Sequence, residues 1–298
     1  MNLVVGASGL VGSEICVQLA KKGKPIRALV RSTTDRAKVS RLKELGANLA
    51  YGDLKDSASL AAACGGAATV ISTASSTLSR QPGDSIERVD AQGQLNLLQA
   101  ALAAGVRHFI YISFPPAPAD FALQRAKRAV ENALKSGGMA YTILQPTFFT
   151  EVWLSPAVGF DAANSTATIY GSGRNKISWI SFADVARFAA ESVDNPAARN
   201  VVVKLGGPDA LSPLEVVEVV EKASGRKFEV THVPEDALRA QAASATDSLQ
   251  EAFAGLMLYY AHGESVDMTP ASKIFPEAAK GRASVRDFAK LLSSAPPA

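Results

Sequence analysis

The feature that most constrains this chain is Gly6-Ala7-Ser8-Gly9-Leu10-Val11-Gly12, a glycine-rich loop that follows directly on the apolar run Asn2–Val5. The loop leads into an amphipathic stretch from Ser13 through Ile15, Cys16, Leu19 and Ala20, which closes at Lys21-Lys22-Gly23. Cations in the last turn followed by a glycine are a helix stop, so strand, loop and helix make the opening of a βαβ unit. The physical demand behind such a loop is a phosphate. Glycine takes backbone angles that a Cβ forbids and lets the chain approach a pyrophosphate closely. The helix N-terminus then offers unpaired N–H groups and the positive end of its dipole, and the last glycine permits tight helix–strand packing.

The pattern continues down the first half. Short β-rich runs at Ile26–Val30, Ala47–Tyr51, Thr69–Thr73, His108–Ser113 and Tyr141–Leu144 alternate with helical periodicities, among them Gln92–Ala104 and Phe121–Lys135. That alternation predicts an α/β fold, a Rossmann-type doubly wound parallel sheet. Beyond residue 150 the character changes. Residues 151–180 mix Pro, Gly, Asn and Ser around one short run, Ala167–Tyr170. A helix is expected over Phe182–Val193, with Ser181 and Asp184 spaced as a capping pair, and Val201–Leu205 as one more strand of the main sheet. Ser212-Pro213-Leu214-Glu215 is a capping box with proline in the first helical position, opening a helix that runs to Gly225. The domain expectation is therefore a nucleotide-binding unit over 1–150, rejoined by 181–205. A smaller substrate-side region, too slight to hold a sizeable core alone, fills the rest of 151–298. The tail Ser293–Ala298 is expected to be loose.

Composition serves mainly to exclude. The 298 residues carry 31 basic and 28 acidic side chains, a net charge of +3 too small for a nucleic-acid backbone footprint. The two cysteines, Cys16 and Cys64, lie far apart in apolar helical contexts, as buried thiols rather than a disulfide or zinc framework. Three scattered histidines make no metal cluster. No basic and then apolar leader opens the chain, and no apolar run approaches the roughly 18 residues of a membrane span. The expectation is a cytoplasmic protein with no metal, no membrane and no direct nucleic-acid partner.

About 20 residues past the loop, an acidic side chain would hold the ribose 2′-hydroxyl of NAD. Arg31 and Ser32 stand there instead. A guanidinium favours the 2′-phosphate of NADP through charge-assisted hydrogen bonds. The expected cofactor is NADP(H).

These residues carry a family resemblance. GASGLVG at Gly6–Gly12, VRS at Val30–Ser32, GDL at Gly52–Leu54 and AAGVRHFIYIS at Ala103–Ser113 resemble the atypical short-chain dehydrogenase/reductases. KRAVENALKSGGMAYTILQPTFF at Lys127–Phe149, WISFADVARFAA at Trp179–Ala190 and GGPDALSPLEVV at Gly206–Val217 extend the resemblance, closest to the NmrA-like and isoflavone-reductase-like NAD(P)-binding proteins. The resemblance implies that Gly6, Ser8, Gly9, Leu10, Val11 and Gly12 cradle the pyrophosphate. It implies that Asp53 and Leu54 border the adenine, that Thr73, Ala74 and Ser75 border the nicotinamide ribose, and that Pro146 and Phe148 lie near the nicotinamide.

The short-chain reductases pair a serine with Tyr-x-x-x-Lys, whose spacing puts phenol and ammonium on one helical face, the ammonium holding the cofactor ribose. Here Ser113 and Lys127 match, but Leu123 occupies the tyrosine position and cannot donate a proton. Lys127 is therefore expected to bind the cofactor whether or not it also moves a proton. Three readings stay open. Lys127 itself moves the proton, as the isoflavone-reductase likeness implies; a quinone or other conjugated acceptor is protonated by water; or the protein senses NAD(P) without turnover and binds a protein partner. The expectation is an NADPH-dependent reductase of a small conjugated carbonyl or quinone-like substrate, with a nucleotide-sensing regulator as the alternative. A small, flat, apolar substrate suits Phe148, Phe149 and Trp153 after the sixth strand, with Tyr170 and His232 as polar contacts.

Overall fold

Leu3 and Val5 bury against one layer of helices and Val4 against the other, as the two-residue period of a strand covered on both faces requires. The computed structural model describes residues 1–78 and 80–294. Its strands are β1 (Asn2–Val5), β2 (Ile26–Val30), β3 (Asn48–Tyr51), β4 (Thr69–Ser72), β5 (His108–Ile112), β6 (Ala140–Pro146), β7 (Phe160–Asp161), β8 (Thr166–Tyr170), β9 (Ile177–Ser178), β10 (Val201–Leu205), β11 (Ala210–Leu211) and β12 (Glu229–Val233). The α-helices are α1 (Leu10–Lys21), α2 (Arg36–Glu44), α3 (Ser57–Cys64), α4 (Gln94–Ala103), α5 (Ala122–Ser136) and α6 (Thr150–Trp153). They continue with α7 (Phe182–Ser192), α8 (Pro213–Ser224), α9 (Glu235–Ala243), α10 (Ser248–His262), α11 (Thr269–Ile274) and α12 (Val285–Ser294). Of the tail expected to be loose, residues 293 and 294 close α12 and the rest lies outside the described residues.

Seven strands form one parallel sheet in the order β10-β6-β5-β4-β1-β2-β3. The doubly wound fold is thus present, with β10 added beside β6 as the pattern at Val201–Leu205 predicts. The strand order reverses between β1 and β4, where adjacent loops turn to opposite faces and leave a crevice beyond the strand ends. One face packs on α1 and α7 through Ile15, Leu19, Val185 and Phe188. The other packs on α3, α4 and α5 through Leu60, Leu97 and Val130.

A third core lies beyond the sheet, built from Phe148, Trp179, Val216, Tyr259 and Tyr260. It is closed by Phe121 at the start of α5 and by Ala122, Leu123 and Ala126 of α5, so the two regions share that helix. The chain also returns to the main sheet a second time. Met268, Ala271, Phe275 and Ala278 pack in the core with α7, Phe275 meeting Phe188 edge-on at 5.5 Å. The sequence expectation had only 181–205 returning, because a short helix with one apolar face looks the same whichever core receives it.

Two local details matter for the site. The helix expected from Gln92 starts earlier, at Ile86, and its first segment to Gly93 is wound as a π-helix. Asp90 in that segment is fully buried, its Oδ2 accepting the backbone N–H and hydroxyl of Ser76 at 2.9 and 2.7 Å. The capping box at Ser212 is formed: Ser212 Oγ accepts from Glu215 N, and a Glu215 carboxylate oxygen accepts from Ser212 N at 2.7 Å.

Candidate functional site

Gly6 holds φ +84°, and a Cβ there would stand 2.6 Å from Thr73 Oγ1 and 2.9 Å from Ala74 N. A Cβ on Gly12 would overlap the carbonyl oxygen of Gly6. Both glycines are therefore required by the close approach of β1, β4 and α1. Between them Gly9 N–H donates to Gly6 O at 2.9 Å. Helix α1 begins at Leu10 with no side-chain cap and no acidic residue in its first turn. Asp35, Asp56, Ser181, Ser212 and Asp247 cap α2, α3, α7, α8 and α10. The first-turn donors of α1 thus have no side-chain partner within the helix start, the arrangement that suits an anion.

They face a cavity of about 570 Å³ along the crevice. Gly6, Ser8, Gly9, Leu10 and Val11 form one wall of it. Arg31, Asp53 and Leu54 close one end, and Thr73, Ala74 and Ser75 the opposite lip. Gly12 sits behind that wall, packed on Gly6. The donor-rich loop, the open helix end and a dinucleotide-sized cleft at the strand-order reversal fit NAD(P).

Other expected residues stand elsewhere. Ser32, just after β2, is exposed and outside the cavity wall. Ser113, Lys127, Pro146 and Phe148 also lie outside the wall. Pro146 is buried at the end of β6. Phe148 is 3% exposed because an aromatic cluster takes it: Tyr259 at 4.8 Å, Trp153 edge-on at 5.0 Å and Tyr260 at 5.9 Å. Trp153 in turn stacks on Tyr260 at 4.9 Å. The neighbouring Phe149 lines the cavity instead, together with Val152 and Phe182. Tyr170 donates its hydroxyl proton to Val158 O at 3.0 Å, and His232 Nδ1 sits 3.0 Å from Gly171 O, so both hold loops.

Lys127 projects from α5 onto the end of β5. Its Nζ donates to Ile112 O at 3.0 Å and lies 4.8 Å over the Tyr111 ring. Burial lowers its pKa from the ordinary 10.5, against the opposing pull of the Asp90 carboxylate. Ser113 Oγ accepts from Arg128 at 2.9 Å, and Arg128 is paired with Glu131 at 3.0 Å. Leu123 is buried among the apolar residues of the third core and adds no donor.

Sequence reasoning missed four residues here. Gln94 accepts from Ser72 Oγ and donates to Ala74 O, tying the β4 lip to α4, while Asp90 does the same for Ser76. Arg128 holds Ser113. Tyr259 arrives from α10 near Phe114 and Phe148, and no local pattern connects it with α5. Several buried atoms in this region carry no hydrogen bond: Asp90 Oδ1, Tyr111 Oη, Arg128 Nε and Tyr259 Oη.

No helix of the described residues is long and apolar enough to cross a membrane. Cys16 and Cys64 are buried thiols, pushed by burial up to about 12 and about 11.

A family model described as the NmrA-like family matches residues 2–278. An NAD(P)H azoreductase of Xenophilus azovorans is 33% identical over 228 residues, covering 76% of this chain and 74% of the relative. A photosystem II assembly factor of Trieres chinensis is 27% identical over 234 residues, covering 78% and 72%. Among solved structures, an NADPH-dependent quinone oxidoreductase of Escherichia coli complexed with NADPH superposes with a TM-score of 0.78. It is 23% identical and covers 98% of this chain and 99% of that one, a likeness of fold.

Proposed function

The chain belongs to the NmrA-like family, and on that premise we propose that it is an NADPH-dependent reductase of a small conjugated carbonyl or quinone-like substrate. The observation that carries the reading is the uncapped N-terminus of α1 opening onto the cleft. Helices α5 and α11 also start with no side-chain cap and no acidic first turn, but only the start of α1 joins a glycine loop in the cavity wall, which marks it as the place for an anion. The azoreductase relative supports a reductase rather than a binding module.

The dinucleotide, when bound, supplies a hydride. Gly6, Ser8, Gly9 and the first turn of α1 bind its pyrophosphate, with Gly12 letting the helix close on the loop. Arg31 reads the 2′ position, Asp53 and Leu54 border the adenine, and Thr73–Ser75 border the second ribose, held in place by Gln94 and Asp90. Phe149 gives the far end an apolar wall. Lys127 is the proton-moving group in place of the tyrosine that Leu123 displaces, and burial brings its ammonium nearer to releasing a proton at neutral pH. Ser113, oriented by Arg128, donates to the substrate oxygen.

The test is purified protein with NADPH and a panel of quinones, enones and azo dyes, following loss of the reduced-nicotinamide absorbance. Turnover with at least one acceptor supports the reading. Tight nucleotide binding without any turnover overturns it.

A second reading rests on one observation. Lys127 is 6% exposed and its ammonium is spent on the Ile112 carbonyl. A sensor that binds NAD(P) and a partner protein, without chemistry, has no need to release that group. Pull-downs with oxidised and reduced nucleotide separate the two, since a sensor retains its partner in one state only.

A further inference from the structure

The cation expected to read a 2′-phosphate is already met by an anion of the chain. Arg31 Nη1 lies 2.8 Å from Asp84 Oδ2, which also accepts the backbone N–H of Gln81 at 2.9 Å. The other carboxylate oxygen takes the ammonium of Lys55. The Asp84 side chain is 1% exposed, whereas Arg31 and Lys55 keep 28% and 20% of theirs in contact with solvent. Burial alone would raise the Asp84 pKa, but the hydrogen bonds from Lys55, Gln81 and Arg31 outweigh it and hold the carboxyl below its usual value. Asp84 is therefore an anion at neutral pH, and it lines the same cavity as the glycine loop. The cluster joins the end of β2, the loop after β3 and the segment between β4 and α4, so it sits where the adenosine end of the cleft closes.

We infer that Asp84 sets the selectivity between phosphorylated and unphosphorylated dinucleotide, acting as a built-in carboxylate on Arg31 and Lys55. The inference rests on the dinucleotide reading above. Of the two cations only Arg31 lines the cavity, so a 2′-phosphate must share Arg31 with a carboxylate already one hydrogen bond away, and like charges on one guanidinium repel. A 2′-hydroxyl meets no such conflict and can donate to the carboxylate. Asp84 thus opposes the preference for NADPH that Arg31 confers. Lys38 and Arg41 of α2 line the same cavity and partly restore it.

The experiment is calorimetric titration of NADPH and NADH into wild type, Asp84→Asn, Asp84→Ser and Arg31→Ala. Asparagine keeps the shape and one acceptor while removing the charge, and serine provides a second neutral variant if the first fails to fold. Removing one charged contact from competition corresponds to about a tenfold change in relative affinity. The expected result is that either neutral variant raises the ratio Kd(NADH)/Kd(NADPH) by about that factor, while Arg31→Ala lowers it. A ratio that stays at the wild-type value or falls in the neutral variants, with both nucleotides still bound, overturns the inference alone. Wild-type protein that binds neither nucleotide overturns the dinucleotide reading, and the inference with it.

Discussion

At the β1 end of the cleft the chain leaves its hydrogen-bond donors open, whereas at the β5–β6 end it spends them on itself. The first end has an uncapped helix and glycines whose missing Cβ atoms make room. The second has an ammonium held by a backbone carbonyl, a serine held by an arginine, and an aromatic ring enclosed by four others. The difference teaches that anion binding is prepared by the backbone, while chemistry at the far end requires polar groups to change partners. Backbone preparation costs little because it uses donors every helix N-terminus owns. Buried ammonium chemistry is costlier, because the charged form pays desolvation until substrate or cofactor replaces the lost water.

The largest expected effect breaks the first half of that comparison. Gly12→Ala drives a methyl into the Gly6 carbonyl, so nucleotide binding is abolished in calorimetry and unfolding free energy falls by about 2–3 kcal/mol. Normal binding by this variant means that the loop is not preorganised.

Next comes Lys127→Met, which sharpens the second half. Turnover falls by about 10²–10⁴ if the ammonium moves the proton, whereas stability in denaturant is unchanged or higher because a buried charge is replaced by apolar volume. The pH dependence has a definite sign. Lys127 has a lower pKa folded than unfolded, so the unfolded chain holds more protons between the lowered value and 10.5. Wild-type stability therefore gains from this group as pH rises through that window, and Lys127→Met removes the gain. A methionine variant with full turnover returns Lys127 to a purely structural role.

The smallest effect is at Tyr259. Its hydroxyl is buried beside the Glu264 carboxylate without a well-formed hydrogen bond, so Tyr259→Phe leaves unfolding free energy within about 1 kcal/mol of wild type. A larger loss in thermal or denaturant unfolding shows that the hydroxyl has a partner after all, and that this end is better satisfied than its geometry indicates.

Much of the frame was legible because local physics sets it. The strands Asn2–Val5, Ile26–Val30 and Val201–Leu205 have the bounds their apolar runs suggest, and the capping box at Ser212 forms as written. The early start of the helix before Gln94 was not legible, since its π-wound turn accompanies Asp90 reaching Ser76, a contact across the β4 lip. Phe148 and Phe149 show the same limit at closer range. Adjacent aromatics after β6 read alike, yet one is enclosed by Tyr259 and Trp153 while the other faces the cleft.

By itself the sequence determined the parallel α/β frame, the glycine loop and the absence of a phenol at position 123. Those follow from backbone preference, two-residue and helical periodicity and side-chain identity, all of which act within a few residues. Only the tertiary structure decided that Arg31 meets Asp84, that Arg128 holds Ser113, and that Tyr259 closes over Phe148. Each joins residues from separate elements, and such pairings are set by how helices and loops pack on the sheet, which no local pattern records.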